Sequence, residues 1–120
     1  MMPIFRQPSY TLLDHTADLR VRVVGADPAS LYENAGLTLF DLIVQGPGTA
    51  AGVETELHLT GQDRADLLVN FLRELLYLWS GHEKVVTKVK ITHITDVSLS
   101  ARVATVDFAP RTQHIVHEIK

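Results

Sequence analysis

The sequence predicts an α+β fold in which two amphipathic helices pack on one face of a mostly antiparallel β-sheet. Short stretches in which apolar and polar residues alternate are typical of half-buried strands. Two longer stretches repeat apolar residues at spacings of three and four, as helices do. The resulting order is β-β-α-β-α-β-β-β, in which two helices can cover a sheet joined largely by short turns.

Composition limits the class of protein. The 120 residues indicate a single domain, and an apolar fraction of 46% is ample for a core. A formal net charge of −3 argues against a chain that binds nucleic acid unaided, since phosphate binding needs clustered Lys and Arg. The absence of cysteine excludes disulfides and thiolate chemistry. No apolar run has the length of a signal peptide or a spanning helix, so we expect a cytoplasmic protein without a membrane partner.

The first half of the chain predicts two strands and a helix. Residues 1–8 contain two prolines and are expected to form a loose arm, followed by strands at 10–13 and 19–24. Asp27 can cap a helix with Pro28 at its first position, and the helix should end near residue 43. Its apolar stripe comprises Leu31, Ala35, Leu39, Leu42 and Ile43, and Gly36 within it would allow a close approach.

A loop at 45–52, rich in glycine, leads to a strand at 53–59 and a second helix. Asp63 and Asp66 form an acidic variant of the capping box at its start, and Ser80-Gly81 should end it. Asn70 and Arg73 are expected to be exposed or at a rim. The broad apolar face comprises Leu67, Leu68, Phe71, Leu72, Leu75, Leu76 and Trp79.

The last third predicts three strands. Residues 85–94 alternate, and so do residues 97–103, after which a phase change suggests a β-bulge near Ala104-Thr105. Ala109-Pro110 should turn the chain into a final strand at 114–120. The scattered histidines, and the basic group formed by Lys84, Lys88, Lys90 and Arg102, are most simply explained as solvated surface.

The acidic segment between the first two strands is the candidate site. Asp14, His15 and Asp18 fall within five residues of one another. Carboxylates that converge across a turn suit hard cations such as Ca²⁺ or Mg²⁺, and an imidazole can bind a metal or act as a general base. The simpler alternative is that Asp14 and Thr16 only bond backbone amides of the turn.

Three blocks of sequence resemble the archease family. The segment Leu13-Asp14-His15-Thr16-Ala17-Asp18 is similar to the family's signature. Residues 31–35 with Leu39-Phe40 resemble its first helix, and residues 66–77 resemble its second. The later piece, residues 108–120, is more weakly similar. The resemblance covers about residues 9–120.

This resemblance implies a protein that does not turn over a substrate itself. Archeases are partners of RtcB-type RNA ligases in tRNA splicing and RNA repair; they promote guanylylation of the ligase's active-site histidine and so permit multiple turnover. Their metal-binding acid corresponds to Asp18, with Asp14 a weaker candidate. The conserved Glu of the family corresponds to Glu118, which with His15 is expected to contact the partner. RNA would be met only indirectly, and the metal would be Ca²⁺ first, with Mg²⁺ or Mn²⁺ as alternatives.

The chain also departs from the family pattern. Family members usually continue through further strands to an acidic residue that completes the metal site, so the C-terminal strands and that ligand are expected to be missing here. Ala109, Thr112 and Gln113 stand where relatives carry an acid, a basic residue and His. A strand ending at 120 would leave a sheet edge, which predicts homo-oligomers through this edge unless residues 1–8 cover it.

Two other classes of function are consistent with the same residues. A small metal-dependent hydrolase would use His15 as its base. A non-catalytic interaction module would need the acidic segment only as a structural turn.

Overall fold

The computed structural model describes residues 10–13, 20–46, 52–117 and 119. Within them the α+β prediction is confirmed, since two helices pack with sheets that are antiparallel throughout. The elements are β1 Tyr10–Leu13, β2 Arg20–Val23, α1 Pro28–Ile43, β3 Val44–Gln45, β4 Val53–Thr60, α2 Arg64–His82, β5 Lys84–Ile94, β6 Ser98–Asp107 and β7 His114–Ile115. Neither helix is long and apolar enough to cross a membrane.

The main sheet has the strand order β4-β6-β5, and β1-β2 and β3-β7 form two separate pairs. Both helices pack against the main sheet and against each other. Phe71, Leu75 and Val103 have no exposed surface and lie at the centre of this core. The opposite face of the main sheet is polar in part: Glu56, Arg102 and Lys90 lie side by side across it, with Arg102 Nε 3.6 Å from Glu56 Oε1. Ala104 and Val106, on the same face, are buried.

The irregularity predicted near Ala104-Thr105 lies on a different strand. The β4–β6 register runs without a break through both residues, whereas β5 has extra residues at Thr87 and Thr92. Each of these threonines donates its hydroxyl to a carbonyl of β6, at 3.3 and 3.2 Å. The two bulges keep one face of β5 turned towards the helices. That face comprises Val86, Val89, Ile91 and Ile94.

The start and end predicted for α1 are confirmed. Asp27 caps the helix by accepting from the Ser30 N–H at 2.7 Å, and the Ser30 hydroxyl accepts from the Asp27 N–H at 3.0 Å. Pro28 occupies the first turn. Gly36 allows the predicted close approach, because a Cβ there would lie 2.8 Å from Leu75 Cδ1 and 3.4 Å from Val89 Cγ2.

The capping of α2 is confirmed in part, and its predicted end is wrong. Asp63 accepts from the Asp66 N–H at 2.8 Å, but the Asp66 carboxylate bonds the N–H of Gln62 instead of that of Asp63. The helix continues through Ser80-Gly81 to His82 and ends at Glu83, whose φ of 54° is left-handed. The bare Cα of Gly81 leaves room for the Tyr77 ring, to which a Cβ would approach within 2.9 Å.

Two predictions about the shorter segments also need correction. Gln45, assigned to a loop, pairs in β3 with His114, and the final strand is confirmed only for His114–Ile115. Gln113, which stands where relatives carry His, is buried. Its side chain accepts from the Ala109 N–H at 2.8 Å and donates to the Gly46 carbonyl at 3.4 Å, so it holds the turn against β3.

Candidate functional site

The structure describes the frame of the acidic segment. Asp14, His15 and Asp18 lie outside the described residues, as does Glu118. The antiparallel register of β1 and β2 pairs Leu13 with Arg20, which fixes where the segment 14–19 leaves the hairpin and where it returns. The paired strands β1 and β2 therefore fix the two points of the chain between which Asp14, His15 and Asp18 lie.

A hydrogen bond attaches β1 to the last turn of α1. The Tyr10 hydroxyl donates to an Asp41 carboxylate oxygen. This hydrogen bond, together with partial burial and the negative charge of Asp41, raises the pKa of Tyr10 to about 12. The phenol therefore keeps its proton, and the bond, across the physiological range of pH.

A second hydrogen bond holds the chain directly after β2. Asn34 is only 4% exposed, and its Nδ2 donates to the Val24 carbonyl at 2.8 Å. Tyr10 and Val24 both lie at the end of the hairpin opposite Leu13 and Arg20. Three residues of strand span about 10 Å, so α1 grips the hairpin roughly that far from the segment it presents.

The stretch that precedes Glu118 lies beside the C-terminus of α1. The Val116 N–H donates to the Ile43 carbonyl at 2.7 Å, directly after β7 pairs with β3. Ile119 is partly buried against the core. Since Asp41 is in the last turn of α1, the anchor of β1 and the approach to Glu118 belong to the same end of that helix.

The described ranges contain no group of three or more His, Asp or Glu side chains that could hold a metal ion. His58 is exposed and bonds Ser100 Oγ at 2.9 Å, while His82 packs edge-on against Tyr77. Lys84 pairs with Asp107 on the other face of the sheet from Lys88 and Lys90, so the predicted basic group is divided.

Sequence reasoning missed both hydrogen bonds that hold the hairpin. Tyr10 and Asp41 are 31 residues apart, and no local pattern connects them. Asn34 did carry a signal, because an amide within an apolar helix face is expected to have a specific hydrogen-bond partner.

The two-helix α+β fold places this chain in a class of small proteins that has a solved member. The solution structure of protein 1598 from Methanobacterium thermoautotrophicum superposes with a TM-score of 0.72 at 26% identity, over 92% of this chain and 81% of that one. The chain is 32% identical to protein archease of Methanosarcina mazei over 115 residues, which cover 92% of this chain and 79% of the relative. It is also 32% identical to a protein archease-like of Drosophila melanogaster over 79 residues, 66% of this chain and 51% of that protein.

The family model of the Archease protein family matches residues 10–120. The chain belongs to this family.

Proposed function

We propose that this chain is a protein cofactor of an RtcB-type RNA ligase, promoting guanylylation of the ligase and its multiple turnover in tRNA splicing and RNA repair. The observation that carries this proposal is membership of the Archease family over residues 10–120. This protein binds the ligase, and the ligase binds the RNA. The net charge of −3 supports this arrangement, because an acidic chain has little attraction for a phosphate backbone of its own.

We further propose that Asp18, assisted by Asp14, holds a divalent cation, with Ca²⁺ preferred and Mg²⁺ or Mn²⁺ as alternatives. Carboxylate oxygens are the donors that these hard ions prefer, so the residue types fit the ion. A bound cation would supply positive charge and open coordination positions to the partner. His15 and Glu118 are proposed to contact the ligase.

The contribution of the described residues is to position this segment. Tyr10 and Asn34 fix one end of the hairpin on α1, while the paired Leu13 and Arg20 close the other end. A partner that recognises the segment would then meet it on a rigid support. Such support saves the ordering entropy that a free loop would lose on binding.

Ligase turnover tests the proposal directly. A purified RtcB-type ligase would be incubated with GTP, divalent metal and an excess of cleaved RNA, with and without this protein. The amounts of ligated RNA and of guanylylated ligase would both be measured. We expect many turnovers per ligase when the protein is present. Asp18→Ala should lose the effect, whereas the matched control Asp96→Ala, which removes an exposed carboxylate paired with Arg64, should retain it.

The same preparation distinguishes the hydrolase alternative. Phosphoester hydrolysis by this protein alone, dependent on metal and abolished by His15→Ala, would favour an enzyme. Absence of both hydrolysis and ligase activation would leave the plain interaction module.

A further inference from the structure

We propose that β4 and the groove beside α2 form a docking site for an extended, basic segment of a partner protein, which joins the main sheet as a fourth strand. The inference does not rest on ligase activation. It rests on the hydrogen bonding of β4, on the shape of the groove, and on the charge along the strand.

The direction of the backbone groups of β4 follows from its register. Gly61 N–H bonds the Val97 carbonyl at 2.9 Å, and this pair continues the β4–β6 register. Hydrogen-bonded and non-hydrogen-bonded pairs alternate in an antiparallel ladder, so the odd-numbered residues of β4 bond β6. The backbone N–H and C=O groups of Glu54, Glu56 and His58 therefore point away from the sheet.

Among the described residues, none bonds those outward-pointing groups. The next outward carbonyl, that of Thr60, is closed by Asn70 Nδ2 at 3.0 Å. The two ends of β4 thus differ. The end next to α2's first turn is capped by a side chain, and three consecutive outward positions remain able to pair with a further strand.

The other edge of the main sheet, formed by β5, is covered by α1. There the Ile91 N–H of β5 is bonded by the Glu33 carboxylate of α1 at 2.9 Å, and α1 packs along that strand. A helix covers one edge and leaves the other available, which is the arrangement that strand addition requires.

A groove adjoins the available edge. It has a volume of about 410 Å³ and lies between the first half of β4 and the last turns of α2. Val53 and Thr55 line it from the strand, and Leu78 and His82 from the helix. Because side chains directly opposite one another across a strand pair share a face, a residue placed opposite Thr55 would enter this groove.

The carboxylates along β4 favour a basic partner. Glu54 and Glu56 project from the polar face at the available edge. Glu56 already lies 3.6 Å from Arg102 and 3.7 Å from His58, whereas Glu54 has no ion pair among the described residues. Two copies of β4 would bring four such carboxylates to one ladder, which disfavours pairing of the chain with itself. An incoming strand with Lys or Arg on the polar face and apolar residues on the groove face satisfies both sides.

The test uses a capped peptide, Thr-Lys-Val-Lys-Ile-Thr, which copies residues 87–92 and has this alternation. Amide hydrogen exchange of the full chain would be followed by NMR during its titration. We expect the amides of Glu54, Glu56 and His58 to become protected, while those of Val53, Thr55 and Leu57, which already bond β6, stay unchanged. A peptide with Glu in place of both Lys should bind much more weakly.

Glu54→Lys should raise the peptide Kd about fivefold, since a cross-strand ion pair becomes a repulsion. Glu74→Lys makes the same charge change on α2 outside the groove lining and should leave the Kd unchanged. Protection of the even-numbered amides in the dilute free protein would overturn the proposal, because the chain would then cover its own edge. Protection that appears only at high protein concentration would show that a second copy is the occupant. Equal binding of the Lys and Glu peptides, or peptide contacts confined to other residues, would also overturn it.

Discussion

Gly36→Ala tests the packing of α1, the helix that holds the hairpin, against α2. The new Cβ would lie 2.8 Å from Leu75 Cδ1, and Leu75 has no exposed surface into which it could move. Replacing a helix-interior Gly by Ala favours the helix by about 1 kcal/mol. Overpacking a tight core costs about 1–3 kcal/mol. The free energy of unfolding should therefore fall by up to about 2 kcal/mol.

The same change should reverse sign when Leu75 is truncated. Leu75→Ala alone should cost about 2–5 kcal/mol, the range for a buried leucine. In that background the contact at 2.8 Å no longer exists, and the added methyl group fills part of the new cavity. Gly36→Ala should then stabilise the protein by about 1 kcal/mol, giving a coupling between the two sites of about 1–3 kcal/mol.

Urea unfolding of the four proteins at equilibrium measures this coupling. Leu72→Ala is the matched control, because Leu72 is on the same helix but only partly buried and is absent from the nearest neighbours of Gly36. It should cost less than Leu75→Ala and leave the effect of Gly36→Ala unfavourable. Stabilisation by Gly36→Ala in the wild type, or additive effects of the two changes, would refute the packing described for α1 and α2.

Three further predictions follow from the caps, the hairpin and the acidic segment. The hydrogen bonds from Ser30 lower the pKa of the Asp27 carboxyl. The ionised carboxylate therefore stabilises the fold above the unfolded-state pKa, and this stabilisation is lost as pH falls through the lower folded-state pKa. Asp27→Asn can still cap the helix but should lack this acid dependence of the melting temperature. The hydrogen bond to Asp41 raises the pKa of Tyr10 to about 12, so the stability that this bond contributes is complete below the unfolded-state pKa and is lost as pH rises through about 12. Tyr10→Phe should remove the tyrosine ionisation that occurs at the highest pH, followed by absorbance at 295 nm, and should shift the amide resonances of β1 and β2. An unchanged titration would exclude the bond. Calorimetry should show binding of Ca²⁺ to the wild type and none to Asp18→Ala, with an intermediate effect for Asp14→Ala; equal heats for wild type and Asp18→Ala would remove Asp18 from the site.

The sequence predicted the elements whose pattern is local. The caps at Asp27 and Asp63 and the close approach at Gly36 were all accessible, because each depends on residues a few positions apart or on the special geometry of glycine. The end of α2 was not accessible from the sequence. The left-handed residue that ends the helix is Glu83, and the helical Gly81 leaves room for the Tyr77 ring.

The bulges show why strand phase is harder to predict than strand location. Residues 103–106 of β6 are all buried, because this central strand is covered on both faces there, so its alternation disappears without any bulge. The extra residues fall on β5, an outer strand of the main sheet, where a bulge interrupts only one ladder. Burial of a strand on both faces and a β-bulge both interrupt the alternation of apolar and polar residues, so the sequence alone does not distinguish them.

For the candidate site, the sequence pointed to the acidic segment, and the structure added how the strands on either side of it are held. The pairing of Tyr10 with Asp41 depends on tertiary contact, which no spacing encodes. Self-association through the C-terminal strand remains a prediction; within the described residues, that strand is shortened to His114–Ile115 and one of its edges pairs with β3.

The central claim is that this member of the Archease family activates an RNA ligase. The most direct measurement is the number of RNA joining events per molecule of an RtcB-type ligase, at saturating concentrations of this protein, with GTP and divalent metal supplied. The account predicts multiple turnover with the wild type and with Asp96→Ala, and a return to the level of ligase alone with Asp18→Ala. The same turnover by the ligase with and without the wild-type protein would contradict it.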